Sequence, residues 1–394
     1  MKIRHFGLFF AVLAVILTSC HVPGAPGGYT FGYAELPDSP ANDESSVVNQ
    51  LARLQQSAMA NGFYYINAKN DETIYSTQLI SFSDRQNITV TIQSYGNVRR
   101  TLSTGVDGAM FQVQNYNVRL ILKDIVLQGQ IGNKNPMVIV NNNATLEMYE
   151  DSVIRGNSGH GVSVNGGVFN MKSNASVTTI STEAVSASNG GRVYMFGTAE
   201  IHHNSGGVFL SDSVLTMNGN AQIHHNQFSG GVFLTGAAAG LFMHGDSSIR
   251  LNRNTRPGGI AGGVTAQQNS QIFMYENAAI LSNINFSLAG GGGVKLLSGA
   301  SLNMHSDGVQ ISLNQAFNSD GGGVWMQDSV LNISGGSIHT NWGNWGTLNW
   351  ILHMQGSGNA AWAGNYISGV FADDGIPRSS SNTDISVIGG VVTW

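Results

Sequence analysis

Between about residue 138 and residue 341 the chain repeats itself, and three marks return in a fixed order. The first is a Gly/Ala-Val pair: Gly161-Val162, Ala184-Val185, Gly207-Val208, Gly231-Val232, Gly263-Val264, Gly293-Val294 and Gly323-Val324. The second is a methionine two residues after another apolar residue: Met148, Met171, Met195, Met217, Met243, Met274 and Met304, with Ile333 in the next place. The third is Ile-x-x-Asn, which ends on Asn157, Asn204, Asn226, Asn252, Asn283, Asn314 and Asn341. Successive valines are 23, 23, 24, 32, 30 and 30 residues apart. Self-similarity at such a period specifies a solenoid, in which each unit buries its apolar face only against its neighbours.

Within a repeat the apolar residues alternate in short runs, as in Val208-Phe209-Leu210, Leu215-Thr216-Met217 and Ile223. That is the in/out period of strands, and pieces such as Ser211-Asp212-Ser213 and Asn218-Gly219 between them read as turns. Three short strands per repeat make one coil of a right-handed, single-stranded parallel β-helix, an all-β solenoid. Helical repeats are excluded, because no repeat holds a long stretch free of Gly and Asn with 3.6 periodicity. Coils stacked ~4.8 Å apart place equal positions one above another. Valine, methionine and isoleucine columns then fill a narrow core, and asparagine over asparagine at a tight corner can share amide hydrogen bonds up the stack. Asparagine also tolerates the left-handed backbone such a corner needs. Ile180 stands where the second repeat should carry Asn, and a looser corner is expected there.

The ends differ from the middle. Lys2 and Arg4 precede a mostly apolar run from Phe6 to Leu17, too short for a membrane span. Leu17-Thr18-Ser19-Cys20 then resembles the lipobox of bacterial lipoproteins, and Cys20 is the only cysteine of the chain. The resemblance implies cleavage before Cys20 and its acylation, so that lipid (palmitate among the acyl chains) holds the protein to a membrane. A lone cysteine also excludes a disulfide framework. The expected plan is a signal peptide over 1–19, a flexible Pro/Gly-bearing tether over 20–45, a capping helix over 46–62 and the β-helix over 63–394. The helix would set Val47, Val48, Leu51, Leu54 and Ala58 on one face to plug the open end of the core. At the far end all six tryptophans lie between Trp325 and Trp394. Trp342, Trp345 and Trp350 read either as a platform for sugar rings or, more simply, as a cap over the last core layer.

Candidate chemistry is sparse. Charged residues are 10% of the chain, the formal net charge is −5 and no basic run occurs, so nucleic acid is not expected as a partner. Gly159-His160-Gly161 matches a turn of pectin-hydrolysing β-helices, but Gly161-Val162 is equally the first mark of a repeat. Hydrolysis of a glycosidic bond needs two facing carboxyls, and Glu147, Glu150 and Asp151 supply no such pair. His202-His203 and His224-His225 share a register and could be ligands, yet Arg250-Leu251 ends the column, and corner histidines without metal are the simpler reading. No cofactor or metal is expected. Longer insertions follow Asn252, Asn283 and Asn314: RNTRPGGIAGG, INFSLAGGGG and QAFNSDGGG. Leaving the stack at one corner, they are expected to project as a ridge, with Arg253, Arg256, Phe286, Phe317 and Asp320 as candidate binding residues.

The repeated Gly-Gly-Val and Ile-x-x-Asn resemble the Gly-Gly-Ala-Ile and Phe-x-x-Asn repeats of chlamydial polymorphic outer-membrane proteins, and look closer to β-helix lipoproteins of spirochaetes. About half the chain carries this resemblance. It implies a non-enzymatic adhesin or antigenic scaffold at the outer membrane or cell surface, contacting a host protein or glycan. Ile replaces Phe here, and lipid would replace the autotransporter barrel as the anchor. The alternative is a carbohydrate-binding module or a polysaccharide-degrading lyase or glycosidase.

Overall fold

In the computed structural model, the residues described are 46–343 except Ala289, Ser319 and Asp320, followed by the backbone of short strands between Asn344 and Thr393. The 1–19 and 20–45 segments, Cys20 included, lie outside the described residues.

The alternating triplets form short parallel strands that climb from coil to coil. Each coil gives one strand to each of three sheets, and the third sheet counts 11 strands, one per turn of the solenoid. The protein is thus an all-β parallel β-helix. Met148 pairs with Met171, then Met195, Met217, Met243, Met274, Met304 and Ile333, in unbroken register on the first sheet. All seven methionines are fully buried. The isoleucines of Ile-x-x-Asn pair likewise on the second sheet and the valines of Gly-Val on the third. Unbranched methionine suits such a column, since its flexible thioether fills the irregular gap between neighbouring coils.

Helix α1 (Val47–Ser57) opens the described chain, with Ser46 Oγ accepting from the Asn49 backbone N–H as its N-cap. The Glu72 carboxylate accepts from the Val47 N–H at 2.7 Å, negative charge meeting the positive end of the helix. Val47, Leu51, Leu54 and Ala58 join the core, so the helix covers the apolar layer that the first coil leaves open.

The asparagine corner is a continuous ladder from Asn204 to Asn341. From Asn226 onward each side-chain Oδ1 accepts from both the backbone N–H and the Nδ2 of the previous asparagine; for Asn252 these come from Asn226 at 3.1 and 2.8 Å. Each Nδ2 also donates to the carbonyl of the preceding coil's isoleucine, as Asn252 does to Ile223 at 2.9 Å, with Val177 in that place for Asn204. The left-handed backbone expected at asparagine falls one residue earlier, on Thr179, His203, His225, Leu251, Ser282, Leu313 and Thr340, with Gly156 in the first coil. The reason is that asparagine points inward to bond backbone, so the chain reverses at the exposed residue before it. Ile180 does not loosen its corner either: it is 2% exposed and its N–H is bound by Asn204 Oδ1 at 2.9 Å. The defect passes to Asn157, whose Nδ2 turns to the Asn135 and His160 carbonyls and whose buried Oδ1 has no hydrogen-bond partner.

A cleft where the loop layer begins

The three insertions do not form a free ridge. Each starts with a short strand, Arg253–Asn254, Ile284–Asn285 and Gln315–Ala316, and these pair with one another and with Trp342–Trp345 as a fourth ribbon. Beyond it the glycine-rich halves fold back over the outer face of the third sheet. Thr265, Lys295 and Trp325 point outward from that sheet, yet are only 2%, 5% and 6% exposed. The Ala261 N–H donates to Thr265 Oγ1, Lys295 Nζ donates to the Gly259 carbonyl, and Lys295 Nζ lies 4.6 Å from the Trp325 ring centre. Burial lowers the Lys295 ammonium to about 8. A second ladder ties the loops down: Asn254 Nδ2 donates to Asn285 Oδ1 at 2.9 Å, and Asn254 and Asn285 Nδ2 donate to the Ile260 and Gly290 carbonyls.

Coils before Asn252 lack these insertions, so the layer ends in a step. At the step lies a cleft of about 540 Å³, within the usual range for small ligands. Its floor is Phe209 and Phe233, stacked coil on coil with ring centres 5.5 Å apart. One wall is the first insertion, Arg256 to Ile260; His160, Glu183, Ser186 and Ser229 line the rest. The ring of His160 lies against Glu183, with Nδ1 3.9 Å from Oε2, 3.0 Å from the Glu183 carbonyl and 3.1 Å from Thr182 Oγ1. Ser186 occupies Phe209's position one coil earlier, so no ring covers Phe209 from that side. Glu183 is the single carboxylate among the lining residues.

Of the candidate binding residues, Arg253, Phe286, Phe317 and Trp342 come together as a stripe along the fourth ribbon. Arg253 Cζ sits 4.3 Å over the Phe286 ring, Phe286 stacks on Phe317 at 4.8 Å, and Trp342 meets Phe317 edge-on at 6.3 Å. Arg256 stands apart, on the cleft wall. Asp320, Trp350 and the side chain of Trp345 lie outside the described residues. Glu147 is 2% exposed and held by Arg119 at 3.4 Å and Lys172 at 3.1 Å. Burial pushes its carboxyl up, but bonds to Tyr149 and Lys172 and the nearby positive charges outweigh that and hold it below the usual range.

Phe209, Phe233, Glu183, Ser186 and Ser229 were not marked by the sequence reading. A signal existed for the two phenylalanines. The middle residue of the triplet that starts at each Gly-Val valine faces outward, and reading that column as Ser186, Phe209, Phe233, Thr265, Lys295, Trp325 finds them.

The histidines pair as their register implies. His202 stacks on His224 and His203 on His225, with ring centres 5.1 Å apart in both cases. Within each coil the two Nδ1 atoms approach to 2.8 Å (His202–His203) and 2.7 Å (His224–His225). Burial first, then the charges of His202, His225, Arg250 and His203, push the His224 imidazole down to about 3; His202 and His225 are lowered too, again chiefly by burial. Among the described residues no three His, Cys, Asp or Glu side chains converge on one metal position.

Compared with known proteins, the chain matches no family model, no curated protein and no solved structure.

Proposed function

We propose that this protein is a non-enzymatic, surface-tethered lipoprotein of the outer membrane or cell surface, anchored through acylated Cys20, that adheres to a glycan by the cleft at the loop step. The chlamydial and spirochaete-type resemblance of its repeats supports the adhesive reading. The observation that carries the binding site is the bare face of Phe209 at the rung of Ser186, flanked by His160, Glu183, Ser229 and Arg256. A pyranose ring stacked there would continue the aromatic column while its hydroxyls meet those polar groups. Glycan and host-matrix arrays on the intact protein test this. Binding should fall at least tenfold in Phe209→Ala and Arg256→Ala; retention of a bound glycan by both variants overturns the cleft assignment. In the producing cell, palmitate labelling should vanish with Cys20→Ala.

One observation favours a second reading. His160 and Arg256 share a cleft, as a base and a carboxylate-neutralising cation would in eliminative cleavage of a polyuronate. An ultraviolet-absorbing unsaturated product from polyuronate substrates would replace adhesion with that activity.

A further inference from the structure

We propose that the stacked pairs His202–His203 and His224–His225 chelate a divalent transition metal of square-planar preference, copper(II) foremost. The argument is geometric. A first-row metal sits about 2.0 Å from an imidazole nitrogen, so nitrogens 2.8 Å apart subtend an angle of about 90° at the ion. That is the cis angle of a square-planar or tetragonal site. A tetrahedral zinc site would need the nitrogens ~3.3 Å apart. Each pair meets the distance condition because His202 ends a strand and His203, itself left-handed at φ 54°, swings back so that its ring stands edge-on to its neighbour's. The next coil repeats the device with His225 at φ 53°.

A second observation points the same way. His224 Nε2 is buried and has no hydrogen-bond partner, and the Glu200 carboxylate waits 3.7 Å from it and 3.8 Å from His202 Nε2. In the metal-free pair one Nδ1–H donates to the other Nδ1. Chelation requires both Nδ1 lone pairs, so that proton moves to Nε2 of the same ring and no net proton is released. Nε2–H then faces Glu200, which needs to close by under 1 Å to accept it. A carboxylate behind a ligating imidazole is the common outer partner of metal-bound histidine. Absence of a third protein ligand leaves the other coordination positions to water, so the site is an open chelate. Its ions would lie about one coil apart, and their repulsion makes the first bind more tightly than the second.

The test is copper(II) titration of the intact protein, followed by electron paramagnetic resonance and calorimetry. His203→Asn and His225→Asn each remove one imidazole and keep a residue that accepts the left-handed backbone. The wild type should show a tetragonal signal with coupling to two nitrogens, and affinity for copper(II) above that for zinc. The double variant, with its circular dichroism unchanged, should lose at least a hundredfold in affinity, and Glu200→Gln about tenfold. His244→Ala with His305→Ala, on another face, should change nothing. Unaltered copper binding in the double variant, or equal affinity for zinc, overturns the proposal.

Discussion

A left-handed φ costs a non-glycine residue about 1–2 kcal/mol, yet seven such residues stand in one column, among them His203, His225, Leu251 and Leu313. What holds them is the asparagine that follows each: except behind Thr179, its buried amide binds the neighbouring coils, and behind Thr179 the Ile180 N–H is itself held by Asn204. Asn252→Ala would leave the Asn226 backbone N–H without its acceptor, the Asn226 side-chain amide with only the Ile201 carbonyl, and the Ile223 carbonyl without the Asn252 donor. Buried polar groups left unpaired cost about 1–3 kcal/mol each, so a loss of about 3 kcal/mol in equilibrium urea unfolding is expected. Asn252→Asp keeps the acceptor but sets a buried carboxylate oxygen against the Ile223 carbonyl and Asn283 Oδ1, so at neutral pH it should lose at least as much as the alanine variant. A loss under about 1 kcal/mol for the alanine variant would show that the ladder decorates the corner rather than holding it. Residue by residue, the asparagine column was legible because its side chains answer to their own copies at a regular step. The left-handed position was misplaced by one, because sequence tells which residue tolerates that conformation and not which one the inward amide forces into it.

The insertions illustrate the element scale. Their glycines are not slack: a Cβ on Gly292 would meet the Gly322 carbonyl and the Gln315 backbone, and one on Gly321 would lie 2.8 Å from Trp325 Cβ. At these two positions the loop backbones pack on one another and on the sheet so closely that a side chain has no room, whereas Gly258 on the cleft wall faces open space. Gly292→Val should therefore lift the layer off the third sheet. Radical footprinting is expected to show Trp325 oxidation rising several-fold, while Met326, facing the core, stays protected. Equal protection of Trp325 in variant and wild type would mean the layer is held by its asparagine ladder alone. Polar, glycine-rich insertions read as projecting loops because composition does not reveal that Lys295 and Trp325 offer a face to cover. Their downward packing in turn creates the cleft, since the layer stops where the insertions stop.

At the scale of the whole molecule, each described coil is stabilised by its neighbours through three sheets and one shared core, and the asparagine ladder adds a fourth seam from Asn204 to Asn341. That seam is interrupted between Asn157 and Asn204. In a solenoid, local opening concentrates where the contacts between coils are weakest. Amide hydrogen exchange should accordingly be slowest in the coils from Ile201 to Asn314 and faster around Asn157; uniform protection across the break would remove the ladder as a determinant of cooperativity. The sequence by itself determined the coil, its register and its core, because a column of like residues at a constant chain step is a local and periodic fact. Only the tertiary structure decided the cleft, the direction of the insertions and the mutual approach of the histidine rings. These depend on side chains from several coils meeting across an outer face, and on distances of a few tenths of an ångström, for which periodicity carries no information.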